Sequence, residues 1–143
     1  MNIALGSDMR SELTRELERL LLERGHEVEL IGALAPGMDD AWTTVGREVG
    51  EAVAGGRCRF GIVCCWTGTG VSIAANKVRG VRAALCGDAA TAEGARVWND
   101  ANVLALSLRV TTPAVAQEIL EAWFGGVPTT EAPYALMIRA IQE

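Results

Sequence analysis

The sequence predicts an α/β fold, a three-layer sandwich with a parallel sheet of five strands, and three observations carry that prediction. Short apolar runs alternate with segments of helical period from the first residues onward, the pattern of a parallel sheet covered by helices on both faces. Glycines and capping residues punctuate the junctions. Half of the 143 residues are apolar and 22% are charged, enough to bury one core, so residues 1–143 read as a single domain.

The elements follow in order. Asn2 to Gly6 is the first strand, and Gly6-Ser7-Asp8 turns into a helix whose Leu13, Leu17, Leu20 and Leu21 share one face. That helix ends near Gly25 with basic residues in its last turn. His26 to Ile31 is the second strand. After a loop, Asp39 or Asp40 caps a helix that runs to about Ala54 and stops at Gly55-Gly56. The apolar run Phe60 to Cys64 is a buried third strand, and Ser72 to Lys77 reads as the start of a helix. Val81 to Cys86 is the fourth strand, Gly87-Asp88 caps a helix from Ala89 to about Val97, and Val103 to Ser107 is the fifth. Thr112 caps a helix beginning at Pro113 and ending at Gly125-Gly126, and Ala132 to Gln142 is a last short helix.

Chemistry concentrates in Cys65-Trp66-Thr67-Gly68-Thr69-Gly70-Val71-Ser72, where a thiol closes an apolar strand and glycines precede a helix. A helix N-terminus offers unpaired amides and partial positive charge, which activate a thiol and stabilise an oxyanion or phosphate. Ligands of open α/β sheets bind beyond the carboxyl ends of the strands, where Asp8, Cys65 and Arg109 or its neighbours converge. Simpler roles stand beside these. Cys65 reads equally as a small core residue like Cys58, Cys64 and Cys86, and Asp8 as a helix cap. Trp42, Trp66 and Trp98 read as ligand contacts or as core or interface aromatics, and Arg109 as an anion site or an ion pair across a dimer. Trp123 reads as packing, and His26, the one histidine, as structural.

Other function classes are excluded by composition. The net charge is −5 with scattered basic residues, which gives no footprint for nucleic acid or for an anionic membrane. The longest apolar runs fall short of a membrane span, and the first residues lack a signal-peptide pattern, so a cytoplasmic location is expected. Four cysteines without a CxxC pair suggest neither a disulfide scaffold nor a metal site, and no cofactor is implied.

Five spaced segments together resemble the ribose-5-phosphate isomerase B family, which also contains the galactose-6-phosphate isomerase subunits. They are Ile3-Ala4-Leu5-Gly6-Ser7-Asp8, Cys65 with Thr67-Gly68-Thr69-Gly70, Ser72-Ile73-Ala74-Ala75-Asn76-Lys77, Arg82-Ala83-Ala84-Leu85-Cys86, and Asn99-Asp100-Ala101-Asn102-Val103-Leu104-Ala105-Leu106. The resemblance implies a Rossmann-like sheet and a homodimer or tetramer with active sites shared between protomers. It also implies aldose–ketose isomerisation of a sugar phosphate through an enediol, with Cys65 moving the proton between C1 and C2. Thr67 then hydrogen-bonds the thiolate, and amides around Gly68, Thr69 and Gly70 hold the enediolate oxygen. Asp8 and Asn99 match positions that contact sugar oxygens, Arg109 matches a basic residue near the phosphate, and Ser72 lies in the same turn.

The departures from the family pattern are specific. Met9 and Trp98 stand at the family's two histidine positions, the second of which is assigned to ring opening. Trp66 replaces a glycine and Trp42 a tyrosine. The C-terminal arginines are replaced by Gly125-Gly126-Val127-Pro128 and Pro133-Tyr134-Ala135-Leu136-Met137, a loss of about 3 to 6 kcal/mol of phosphate binding at roughly 1.5 to 3 kcal/mol per charged hydrogen bond. A divergent isomerase acting on an open-chain or altered substrate is the expectation. The alternatives are a non-catalytic subunit of a hetero-oligomer and an enzyme or binding protein for an apolar or aromatic metabolite.

Overall fold

Five parallel strands form one sheet in the order β2-β1-β3-β5-β4 in the computed structural model, which describes residues 1–142. The strands are β1 (Asn2–Ser7), β2 (Glu27–Gly32), β3 (Phe60–Cys65), β4 (Ala83–Leu85) and β5 (Val103–Ser107). The helices are α1 (Glu12–Glu23), α2 (Trp42–Ala54), α3 (Thr69–Asn76), α4 (Ala89–Asn99), α5 (Pro113–Gly125) and α6 (Tyr134–Ala140). No helix of the described residues is long and apolar enough to cross a membrane.

Strand alternation divides the core between two faces. Ile3, Leu5, Ile62, Cys64, Leu104 and Leu106 point toward α1, α4 and α5, where Trp123 is fully buried with its ring edge-on to Phe60. Ala4, Val63, Cys65, Val103 and Ala105 point toward α2 and α3. The adjacent cysteines therefore belong to opposite layers. On the second face α2 approaches α3 through Gly46 and Gly50. A Cβ on Gly46 would lie 2.6 Å from the Cβ of Ala74 and 2.8 Å from the Val71 carbonyl oxygen, so only glycine permits this spacing.

Several boundaries differ from the sequence expectation, each for a local reason. Helix α1 starts at Glu12 because Ser11 and Thr14 form a capping box, which frees Asp8 from the capping role. Its last turn carries no basic residue; Arg24 follows as the C-cap, with its guanidinium over the Phe124 ring. Neither aspartate caps α2. Ala41 holds that position, while Asp39 accepts from the Ala41 amide and the Thr44 hydroxyl. Strand β2 is shifted by one residue. Strand β4 is only three residues long because side chains replace its ladder at the start: the Arg82 amide donates to Asn102 Oδ1, and Asn76 brackets Ala83 with two hydrogen bonds. Helix α3 begins three residues before Ser72, α4 continues to Asn99, and α6 covers only the middle of its expected span.

Candidate active site

The chain leaves β1 toward β2 on one side and returns to β3 on the other, so the crevice beyond β1 and β3 is a topological switch point. Strand β5 lies on the far side of β3, and the three strand ends meet. The Asp8 amide reaches the Cys64 carbonyl at 3.4 Å, and the Leu108 amide donates to the Cys65 carbonyl at 3.0 Å. The Trp66 carbonyl accepts from both the Arg109 amide and Ser107 Oγ, each at 2.9 Å. Asp8, Cys65 and Arg109 thus share one edge of the sheet.

The turn after Cys65 is built on Gly68, the N-cap of α3, in a left-handed conformation with φ +78°. A Cβ there would also stand 2.9 Å from the Leu106 carbonyl carbon. No side chain caps α3, so the Thr69, Gly70 and Val71 amides at its start have no intrahelical acceptor. Gly70 admits the Trp42 indole, whose ring atoms lie 2.9 to 3.2 Å from where a Cβ would be. Trp42 therefore walls the first turn of α3. A groove of about 600 Å³ runs from it between α2 and α3, past Arg47, Ile73, Lys77 and Val78.

One expectation changes at the thiol. Thr67 does not bond Cys65; its hydroxyl pairs with Thr69 Oγ1 at 2.7 Å and stiffens the amide turn instead. Cys65 itself is 6% exposed, against 0% for Cys64. Desolvation pushes the Cys58 and Cys86 thiols up to about 11 and raises Cys64 further, which keeps all three protonated and inert. Trp66 and Met9 are exposed at the same edge, and Ser72 sits in the first turn of α3. Arg109 is exposed and makes no ion pair among the described residues.

Asp8 is half-buried, and its Oδ1 has no hydrogen-bond partner inside the protein. Desolvation raises its pKa above 3.8, the nearby Asp40 charge adds to the shift, and a backbone hydrogen bond opposes it. A carboxyl that holds its proton more tightly when folded makes stability fall as pH rises from 3.8, with the loss complete above the raised folded value. Asp8→Asn is therefore expected to melt higher than the parent at neutral pH, the gain disappearing toward about pH 4. Paired melts across that range check it, and a gain independent of pH would contradict the assignment.

Trp98 and Asn99 lie elsewhere. Helix α4 runs antiparallel to the sheet, so its last turn returns to the edge where β5 begins, and Asn99 lines a cleft with Arg82 and Ala83. The Trp98 indole covers Gly94 and is 55% exposed. His26 is at that same far edge, its ring 4.7 Å from that of Phe124. Beside Asn99, a group that the sequence did not reveal holds the turn into β5. Asp100, left-handed at φ 46°, accepts from Arg96 at 2.9 Å and Arg82 at 3.4 Å. Its signal was an aspartate within Asn99-Asp100-Ala101-Asn102 following Arg96 by one helical turn.

Comparison with known proteins agrees with this architecture. The model of the family described as Ribose/Galactose Isomerase matches residues 3–134. Ribose-5-phosphate isomerase B of Escherichia coli K12 is 41% identical over 124 residues, covering 86% of this chain and 83% of the relative. D-erythrulose-4-phosphate isomerase of Pectobacterium atrosepticum is 36% identical over 124 residues, covering 86% and 82%. The structure of Clostridium thermocellum ribose-5-phosphate isomerase B superposes with a TM-score of 0.89 at 38% identity, over 99% of this chain and 95% of the other. The family match over residues 3–134, the identity and coverage of these relatives and the superposed fold together establish that this chain belongs to the ribose/galactose isomerase family.

Proposed function

We propose that this chain interconverts an aldose phosphate and its ketose through an enediol, with Cys65 as the proton-transferring base. One juxtaposition supports the reading above all: Cys65 ends its strand between Asp8 and Arg109, directly before three unpaired amides of α3. As a thiolate, Cys65 takes the proton from C2 of the aldose. The released electron pair forms the C1=C2 bond, and O1 becomes an oxyanion that the Gly68 to Val71 turn stabilises with its amides. The O2 hydroxyl proton passes to O1, O2 becomes the carbonyl, and the thiol returns its proton to C1. No electron or proton is gained overall.

The other residues position the substrate. Asp8 meets a sugar hydroxyl at its unpartnered Oδ1, Arg109 meets the phosphate, and Thr67 braces the turn through Thr69. Met9, Trp42, Trp66 and Ser72 line the mouth. Trp98 and Asn99 enter from a second copy, since their own chain holds them at the far edge of the sheet, so the homodimer or a tetramer of two such pairs is the working unit. The substrate is taken in its open-chain form, and the setting is the cytoplasm, where sugar phosphates are metabolised.

Incubation with tetrose, pentose and hexose phosphates in D2O tests the reading, with deuterium appearing at C1 or C2 as the expected result. Absence of exchange with every member of the panel contradicts it. The exposure of Trp42 at 45% and of Trp66 and Trp98 at 55% each favours a second reading, an apolar or aromatic metabolite as ligand. Tryptophan quenching by such compounds, without exchange on any sugar phosphate, would select it.

A further inference from the structure

We propose that the groove between α2 and α3 is a second ligand site, shaped for a nucleoside monophosphate, with the base on the Trp42 indole and the phosphate at Lys77. The isomerase reading leaves this groove unassigned beyond its first wall. From Trp42 it leads along α3, away from the strand end that carries Cys65, and its volume of about 600 Å³ suits a small organic molecule.

The apolar walls come from both helices. Trp42 of α2 is 45% exposed and Ile73 of α3 is 59% exposed, so two large side chains stand in water along one cleft, with Val78 beyond them. Clustered apolar surface of this kind marks a ligand groove, whereas single exposed residues do not. The indole is also fixed in place. It packs on Gly70, where a Cβ would come within 2.9 Å of the ring, so an aromatic platform is held ready against the first turn of α3.

Charge defines the far end. Arg47 donates Nη1 to both Glu51 oxygens, at 3.1 and 3.3 Å, and that pair is neutral. Lys77, the C-cap of α3, is exposed and makes no ion pair among the described residues. In a chain of net charge −5 the groove therefore carries one uncompensated positive charge, which complements an anion. Spacing selects among anions. Gly70, under the indole, and Lys77 are seven residues apart, so about 10 Å of helix separates the stacking platform from the cation. A simple sugar phosphate has no flat face for the indole. A base joined through ribose to one phosphate supplies the flat ring, the anion and the length between them.

Titration calorimetry of the full chain with AMP and with adenosine tests the site. AMP is expected to bind once per chain and at least about 10-fold more tightly than adenosine, the scale of a charge-assisted contact. Lys77→Met, a change at an exposed position, should erase that difference. Trp42→Ala should weaken AMP by at least about 10-fold, and Trp42→Phe, which keeps a flat ring, should retain most of the affinity and guards against a folding defect in the alanine variant. No AMP binding up to about 1 mM overturns the proposal, as does AMP affinity that both Lys77→Met and Trp42→Ala leave unchanged. A chain whose sedimentation shows assembly that Trp42→Ala disrupts, with no AMP bound, makes the groove a contact between copies and overturns it too. The isomerase reading stands or falls separately, on deuterium exchange.

Discussion

Cys65→Ser is expected to lower kcat by about 10²- to 10⁴-fold while the protein remains folded, the contribution of a positioned base whose replacement does not ionise near neutrality. Serine keeps nearly the same shape at a residue that is 6% exposed, so the loss reports chemistry rather than collapse. Cys64→Ala is the matched control. It removes a neighbouring sulfur that faces α1, α4 and α5 rather than α2 and α3, and it costs roughly 1 kcal/mol of buried apolar surface. Period-two alternation makes the pair decisive: Cys64→Ala should lower the melting temperature with kcat preserved, and Cys65→Ser should do the reverse. Deuterium exchange and thermal melts on both variants check this, and equal loss of activity in the two would sink the assignment of the base.

The sheet was legible because its signals are local and redundant. Apolar runs of four to six residues, a glycine or a capping residue at each junction, and leucines at helical spacing specify strands and helices without knowledge of what covers them. The ends of elements were less legible, since they are decided by partners distant in sequence. Asn102 and Asn76 shorten β4 from two different elements, and the capping box at Ser11 depends on Thr14 returning its hydroxyl to the Ser11 amide. The strand-end rule gathers Asp8, Cys65 and Arg109, and the structure has them on one edge of the sheet. It could not place Trp98 and Asn99, because a helix that returns along the sheet delivers its last turn to the far edge. Thr67 illustrates the remaining gap. A hydroxyl two residues from a thiol has several partners in reach, and Thr69, on the first position of α3, is the one it takes.

Asp100→Ala is expected to destabilise the fold by about 3 to 5 kcal/mol, because it strands a buried guanidinium. Arg96 is 3% exposed, its charge lies 4.7 Å above the Phe60 ring, and its lasting partners are the Asp100 carboxylate and the Ala101 carbonyl. Burial already pulls its pKa down, and the Asp100 hydrogen bond and charge oppose that fall. Alanine also suits the left-handed backbone at φ 46° poorly, which adds roughly 1 kcal/mol or more. A drop in melting temperature on the order of 10 °C should follow. The cause is separable. Asn tolerates the left-handed conformation and Met fills the space of the arginine stem, so Arg96→Met combined with Asp100→Asn should recover most of the loss, as replacing both members of a buried pair commonly does. Additive losses in the double variant would show that the turn, not the uncompensated charge, carries the stability. Activity gives a second readout. Asp100 follows Asn99 directly, so if the last turn of α4 serves a neighbouring copy, Asp100→Asn alone should raise KM at a temperature where it is fully folded.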